Sequence, residues 1–219
     1  MVTYSEIFIR FAVETGCLRF GEFRLKSGRI APYFFNLGDV NSGRDLFRMG
    51  SYYARAILHE VGEDFDLIFG PAYKGIPLAT SIAIALWSEY HLSKSASFDR
   101  KEMKEHGEGG IFLGRKPKAG DRVVMVDDVI TTGGTKDEAV RKIRSRGDVE
   151  ILALVVGLDR QEKTASGESA LKAFGERHGI PVVALADTSH ILSLLDKKPD
   201  MAENLDAMKR YLKEYGQTS

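Results

Sequence analysis

The chain has 219 residues, 43% of them hydrophobic and 28% charged, with 31 Lys and Arg balanced by 31 Asp and Glu. That length favours a single α/β unit with an appendage, and the composition excludes disordered and fibrous classes. Zero net charge excludes the long-range attraction that marks nucleic-acid binders, so any anion must be met by local groups. A lone cysteine, Cys17, cannot form an internal disulfide, and no Cys/His cluster has zinc spacing. The first residues lack a basic segment followed by an apolar one, and no apolar run approaches the ~20 residues that span a bilayer. The expectation is a soluble, unexported, cytoplasmic protein with no nucleic-acid or membrane partner.

In chain order, Thr3 and Glu6 have capping-box spacing ahead of Ile7, Phe8, Phe11 and Ala12, which recur at helical intervals until Gly16. Short aromatic and β-branched runs over 18–40, broken by Lys26-Ser27-Gly28 and Ala31-Pro32, predict a small strand-rich hood. Ser42 is placed to cap a helix carrying Leu46, Met49, Tyr53 and Ile57 on one side. Beyond it, apolar strands at 65–69, 122–126, 151–157 and 181–186 alternate with helical stretches at 76–90, 136–146 and 169–178. This pattern predicts an α/β fold with a doubly wound, mainly parallel sheet covered on both faces. The expected division is an N-terminal helix and hood over 1–40 and a core over 41–219. Ligands of such sheets sit beyond the carboxyl ends of the strands, so chemistry is expected just after Phe69, Val126 and Gly157.

Residues 101–110 carry six charged or His side chains and three glycines, which predicts a mobile loop. From Lys94 to Lys118 there are seven Lys and Arg (94, 100, 101, 104, 115, 116, 118) and four acids (99, 102, 105, 108). A solvated loop has this composition, and so does a lid that neutralises a polyanion.

The most informative segment is 123–135, Val-Val-Met-Val-Asp-Asp-Val-Ile-Thr-Thr-Gly-Gly-Thr. A buried strand ends in Asp127 and Asp128 and gives way to a Gly/Thr loop that opens a helix. Such a loop aims backbone N–H groups and hydroxyls at a phosphate, aided by the positive end of the helix. The glycines permit close backbone approach. Paired carboxylates at the strand end can accept hydrogen bonds from ribose hydroxyls and favour a cation developing on the sugar. The plainer alternative, an acidic metal pocket or a nucleotide-hydrolase strand end, needs a Gly-Lys-Ser/Thr loop. The closest run, 109–116, has Arg115 in the lysine's place and no hydroxyl after it.

With its attached Thr-Thr-Gly-Gly-Thr, the segment resembles the phosphoribosyl pyrophosphate (PRPP) signature of type I phosphoribosyltransferases. Three further segments resemble the orotate-specific branch of that family: 23–36 its N-terminal hood, 70–77 its pyrophosphate loop, and 100–110 its lid. The resemblance implies the type I phosphoribosyltransferase fold, with ribose 5-phosphate transferred from PRPP to N1 of orotate. It implies Mg²⁺ held mainly by PRPP and water rather than by protein ligands.

By the same resemblance, PRPP is met by Lys26, Tyr73, Lys74, Arg100, Lys101, Lys104, His106, Asp127, Asp128, Val129, Ile130, Thr131, Thr132, Gly133, Gly134 and Thr135. Asp127, Asp128, Lys104 and His106 take the catalytic roles. Orotate is met by Lys26, Phe34, Phe35, Thr131 and Arg160. The guanidinium fork of Arg160 matches the orotate carboxylate, which purine bases lack. The resemblance also implies a cis peptide at Ala72-Tyr73 and a homodimer whose lid residues Lys101, Lys104 and His106 complete the partner's site.

Each residue also has a structural reading. Lys26 alone in a turn is usually a solvated lysine, at least one of Phe34 and Phe35 belongs to the core by strand alternation, and Arg160 could be a surface arginine. His59, His91, His178 and His190 are taken as structural. The Asp-Asp-Thr-Thr-Gly-Gly-Thr segment does not define the base, so a purine phosphoribosyltransferase stays open. So does a PRPP-sensing regulator without catalysis. The length leaves no room for a fused decarboxylase.

Overall fold

A computed structural model of the chain describes residues 3–25, 27–104, 110–130, 134–164 and 167–217, apart from the side chains of Met103 and Lys104. Helix α1 (Tyr4–Glu14) begins with the expected reciprocal cap: the Glu6 N–H donates to the Thr3 hydroxyl at 3.2 Å and the Thr3 N–H to the Glu6 carboxylate at 3.0 Å. Strands β1 (Leu18–Arg24) and β2 (Ile30–Phe35) form an antiparallel ribbon, the hood. Helix α2 (Gly43–Glu60) is capped by Ser42, whose hydroxyl accepts from the Asp45 N–H at 3.1 Å. Phe8 and Phe11 of α1 pack on Tyr52 of α2 at ring distances of 5.7 and 5.1 Å, and Phe8 reaches Phe35 of the hood at 6.3 Å. One hydrophobic core therefore joins the hood to the sheet.

Six strands build that sheet: β3 (Leu67–Gly70), β4 (Ser95–Lys104), β5 (Gly110–Gly114), β6 (Arg122–Val129), β7 (Glu150–Asp159) and β8 (Val182–Asp187), in the order β5-β4-β3-β6-β7-β8. Every pairing is parallel except β4 with β5. Strand alternation feeds two cores. Ile68, Val124, Val126 and Val155 face α2 and α3 (Gly75–Tyr90), while Phe69, Val123, Met125 and Leu154 face α4 (Gly134–Arg144) and α5 (Ala170–His178). The chain leaves β3 towards β4 on one side and returns to β6 on the other. The carboxyl ends of β3 and β6 thus flank the switch point where such sheets bind ligands. Among the described residues, no helix is long and apolar enough to cross a membrane.

Two features depart from the sequence-based expectation. Residues 101–104, expected in a mobile loop, continue β4, and β5 begins at Gly110; residues 105–109 lie outside the described set. Only 95–98 of β4 pair with β3, so the rest of that strand runs on past β3, paired with β5 alone at Asp99 and Lys104. The chain also continues after β8 with α6 (Thr188–Asp196) and α7 (Ala202–Tyr215), the latter seated against the hood through Tyr33 and Tyr211 at 6.4 Å.

Candidate active site

Strand β6 delivers both carboxylates to its end in a buried state, Asp127 and Asp128 being 7% and 5% exposed. Each is held by backbone and by a cation. The Asp128 N–H donates to the Asp127 carboxylate and the Val129 N–H to that of Asp128, both at 2.8 Å. Lys136 of α4 forms a close ion pair with Asp127, and Lys74 reaches Asp128 at 2.7 Å. Burial pushes the Asp127 carboxyl up, and the Lys136 ammonium opposes that shift. From beneath, Tyr53 donates its hydroxyl to the Asp127 carbonyl at 2.8 Å. Burial and the two aspartates raise the Tyr53 phenol well above its ordinary range, which keeps it a donor.

Val129 is half-buried and Ile130 is buried in the α4-side core, so any contact they make with a ligand is through backbone. Gly134 and Thr135 open α4 and are exposed at its N-terminal end, a position that favours anions. Thr131, Thr132 and Gly133 lie outside the described residues.

The loop after β3 approaches from the opposite side of the switch point. A Cβ on Gly70 would lie 2.0 Å from the Gly75 carbonyl oxygen, so the end of β3 and the start of α3 touch as only glycine permits. Between them the Ala72-Tyr73 peptide is cis, as expected, and Tyr73 stands 71% exposed. Among the described residues, the Tyr73 and Lys74 N–H groups meet no hydrogen-bond acceptor. A Cβ on Gly38 would sit 3.6 Å from Lys74 Cε, so the turn that follows the hood borders this loop.

In the lid, Arg100 is half-buried and Lys101 lies 5.5 Å from the Tyr73 ring of its own chain. Lys104 is placed by its backbone alone, and His106 lies outside the described residues. The charge count over 94–118 overstated the mobile charge. Lys94 is tied to the Glu63 and Phe65 carbonyls at 2.7 Å each, Arg115 to Asp121 at 2.7 Å, and Asp99 is buried.

In the hood, Phe35 is a core residue, 4% exposed. Phe34 is half-buried, stacked on Phe23 at 5.5 Å with Arg19 5.5 Å from its ring. Lys26 lies outside the described residues. The hood closes on β7: a Cβ on Gly157 would meet Tyr53 Oη at 2.8 Å, the Asp128 carbonyl oxygen at 3.1 Å and Phe35 Cζ at 3.2 Å.

Arg160, just past β7, is no surface arginine. It is 8% exposed, lies 4.5 Å over the Tyr33 ring, and donates from Nε and Nη2 to one Glu162 oxygen at 2.9 and 2.6 Å. Tyr211 of α7 donates to the same oxygen at 2.9 Å. The turn is set by Gln161 in the left-handed region (φ 49), its N–H bound by Asp159 at 2.8 Å.

Sequence reasoning missed Tyr53, Lys136, Glu162 and Tyr211. Lys136 follows the Gly/Thr loop directly and Glu162 lies two residues from Arg160 with opposite charge, so both left a local signal; Tyr211 left none. Three histidines hold structural positions, while His59 is exposed beside Glu60 and His106 lies outside the described residues. His178 lies 2.6 Å from Asp137, His190 completes the Asp187 cap of α6, and His91 is the left-handed end of α3. Two surface hollows lie away from this site, one between α5 and the start of β8 and one beside Arg10 and Leu194.

A doubly wound sheet with paired carboxylates at the switch point, a helix N-terminus beside them and a lysine-bearing loop opposite defines a type I phosphoribosyltransferase, and the phosphoribosyl transferase domain family matches residues 43–174. The chain is 48% identical over 216 residues to the orotate phosphoribosyltransferase of Nitrosococcus oceani, covering 99% of this chain and 97% of that protein. It is 45% identical to that of Shewanella oneidensis, covering 99% of each. A crystal structure of orotate phosphoribosyltransferase from Francisella tularensis superposes with a TM-score of 0.83 at 37% identity, covering 96% of this chain and 100% of that one. The chain belongs to the orotate phosphoribosyltransferase family.

Proposed function

We propose that this chain joins N1 of orotate to C1 of the ribose 5-phosphate of PRPP, giving orotidine 5'-monophosphate and pyrophosphate, within pyrimidine biosynthesis. The observation that carries the reading is the buried Asp127-Asp128 pair at the β6 end with the buried Arg160 guanidinium just past the adjacent β7. As the C1–O bond to pyrophosphate breaks, positive charge grows on the sugar while negative charge grows on the leaving group. Asp127 and Asp128 face the former. Lys74, Tyr73, Arg100, Lys101 and the Tyr73 and Lys74 N–H groups meet the latter, and α4 with residues 129–135 holds the 5-phosphate. Lys26, Lys104 and His106 belong to the same reading, as does Thr131 at the base.

Orotate lies between the Phe34-Phe35 segment and Arg160. Glu162 occupies the Nε edge of the guanidinium, and the Nη1 side is assigned to the orotate carboxylate. The cofactor is Mg²⁺. Among the described residues, no cluster of three or more acidic, His or Cys side chains could cage a metal, and both strand-end carboxylates are paired with lysines. That donor set fits an ion carried mainly by PRPP oxygens and water, with Asp127 and Asp128 within reach. Bound there, Mg²⁺ supplies charge neutralisation of the departing pyrophosphate. The reading includes a cytoplasmic homodimer in which lid residues are shared between subunits.

The base assignment is tested at Arg160. Arg160→Ala is expected to raise the orotate KM on the order of 10-fold to 100-fold, the scale of a charge-assisted hydrogen bond, with the PRPP KM changed far less. Steady-state kinetics with each substrate varied in turn checks it. An orotate KM equal to the parent's removes Arg160 from the base site.

A further inference from the structure

Asp99 is one of the four acids in the 94–118 charge count, and the fold buries it. It is 8% exposed and uses each carboxylate oxygen separately. Oδ1 accepts the Ala72 N–H at 2.7 Å, and Oδ2 meets Lys142 Nζ at 2.7 Å. The parallel register accounts for the first contact: Gly70 is opposite Phe98, so the next residue of β4 stands beside the chain as it turns out of β3. Lys142, 15% exposed at its side chain, is on α4 and also meets Glu138 at 2.7 Å and the Arg100 carbonyl at 3.3 Å. A single buried carboxylate thereby ties together the 70–75 loop, the root of the lid at Arg100 and the helix that opens at the Gly/Thr loop.

The same helix sets Lys136 on Asp127 and Lys142 on Asp99, so α4 is fixed against the end of β6 and the middle of β4. A buried charge held this way loses its compensation when either partner is removed. Fixing the Ala72 N–H inward also sets the direction of the peptides that follow, whose Tyr73 and Lys74 N–H groups are left without acceptors among the described residues.

We infer that Asp99 is a positioning residue for the pyrophosphate side of the reaction: through Ala72 and Lys142 it holds the 70–75 loop and the lid root in one arrangement. The inference rests on the proposed reading of that loop as the pyrophosphate-binding one. It predicts a split that general destabilisation would not produce, since, among the described residues, the base side of the site (Phe34, Arg160, Glu162) makes no hydrogen bond or ion pair with Asp99 or Lys142.

The test compares the parent with Asp99→Ala, Asp99→Asn and Lys142→Gln, in the forward reaction and in pyrophosphorolysis of orotidine 5'-monophosphate. For Asp99→Ala, the KM values for PRPP and pyrophosphate are expected to rise about tenfold or more, the scale of a lost hydrogen bond to a charged group, with the orotate KM within about twofold. Asp99→Asn keeps an acceptor for the Ala72 N–H but turns an amide N–H2 towards the Lys142 ammonium, so its PRPP KM is expected to fall between those of the parent and Asp99→Ala. Should Asp99→Ala fail to fold, Lys142→Gln decides alone, with PRPP KM raised roughly threefold or more and orotate KM unchanged as the expected outcome. Parallel rises in both KM values, or no rise in either, overturn the inference. A parent enzyme that does not turn over orotate with PRPP instead overturns the functional reading on which it rests, so the two failures are distinguishable.

Discussion

Asp128→Asn is expected to lower kcat about a hundredfold at saturating orotate and PRPP, the scale on which one preorganised electrostatic group contributes to a transition state. The substitution is nearly isosteric. The new Oδ1 can still accept the Val129 N–H that Asp128 accepts at 2.8 Å, so the end of β6 has no reason to move. Two things change: the charge facing the developing sugar cation disappears, and Lys74 loses the carboxylate it meets at 2.7 Å. The second change leaves Lys74, 51% exposed at its side chain, freer to meet the pyrophosphate, so the PRPP KM is expected to stay level or fall while kcat drops. Circular dichroism checks the fold and saturating kinetics check the rate. A mutant kcat equal to the parent's would remove Asp128 from the chemistry.

The second large effect concerns sharing of the lid between subunits. Past residue 98, β4 leaves β3 and projects from the sheet, and Lys101 is the last residue of that strand with a described side-chain contact, on Tyr73 of its own chain. A ribbon that projects this way, with a polar tip, has little apolar surface with which to dock on its own body. On the proposed reading, Lys101, Lys104 and His106 complete the partner's PRPP site. Homodimers of Asp128→Asn and of Lys104→Ala are each expected to be nearly inactive. After subunit exchange in equal amounts, random pairing is expected to restore roughly a quarter of the parent's sites, because half of the dimers are mixed and each has one intact site. Exchange confirmed by mass with no return of activity would mean that the lid serves its own chain.

The parts of this molecule that were legible in its sequence are those whose signal is local. The β6 strand announced itself because a strand buried on both faces must be apolar throughout, which makes Asp127 and Asp128 stand out where it ends. The caps of α1 and α2 were legible because Thr3 with Glu6, and Ser42 with Asp45, make contacts within one helical turn. Arg160 is a different case. Its role came from family resemblance, while its burial over Tyr33 and its pairing with Glu162 and Tyr211 depend on α7, whose Tyr211 is 49 residues from Glu162. The burial of Asp99 was not legible because the residues after it, Arg100 to Lys104, are nearly all charged. Its burial is decided by the β3-β4 register and by a lysine 43 residues away, neither of which leaves a trace in a local window. Strand β4 itself was missed because its outer half lies beyond β3 and is paired on one side only, with β5, so it shows no continuous apolar run.

The central claim is that the site at the end of β6 transfers ribose 5-phosphate to orotate. The most direct test incubates the protein with PRPP and Mg²⁺ and, in separate reactions, orotate, uracil, adenine, hypoxanthine or guanine, and follows pyrophosphate release. Rapid release is expected with orotate, little or none with uracil, which lacks the carboxylate assigned to Arg160, and none with the purines. Release with a purine and not with orotate would contradict it.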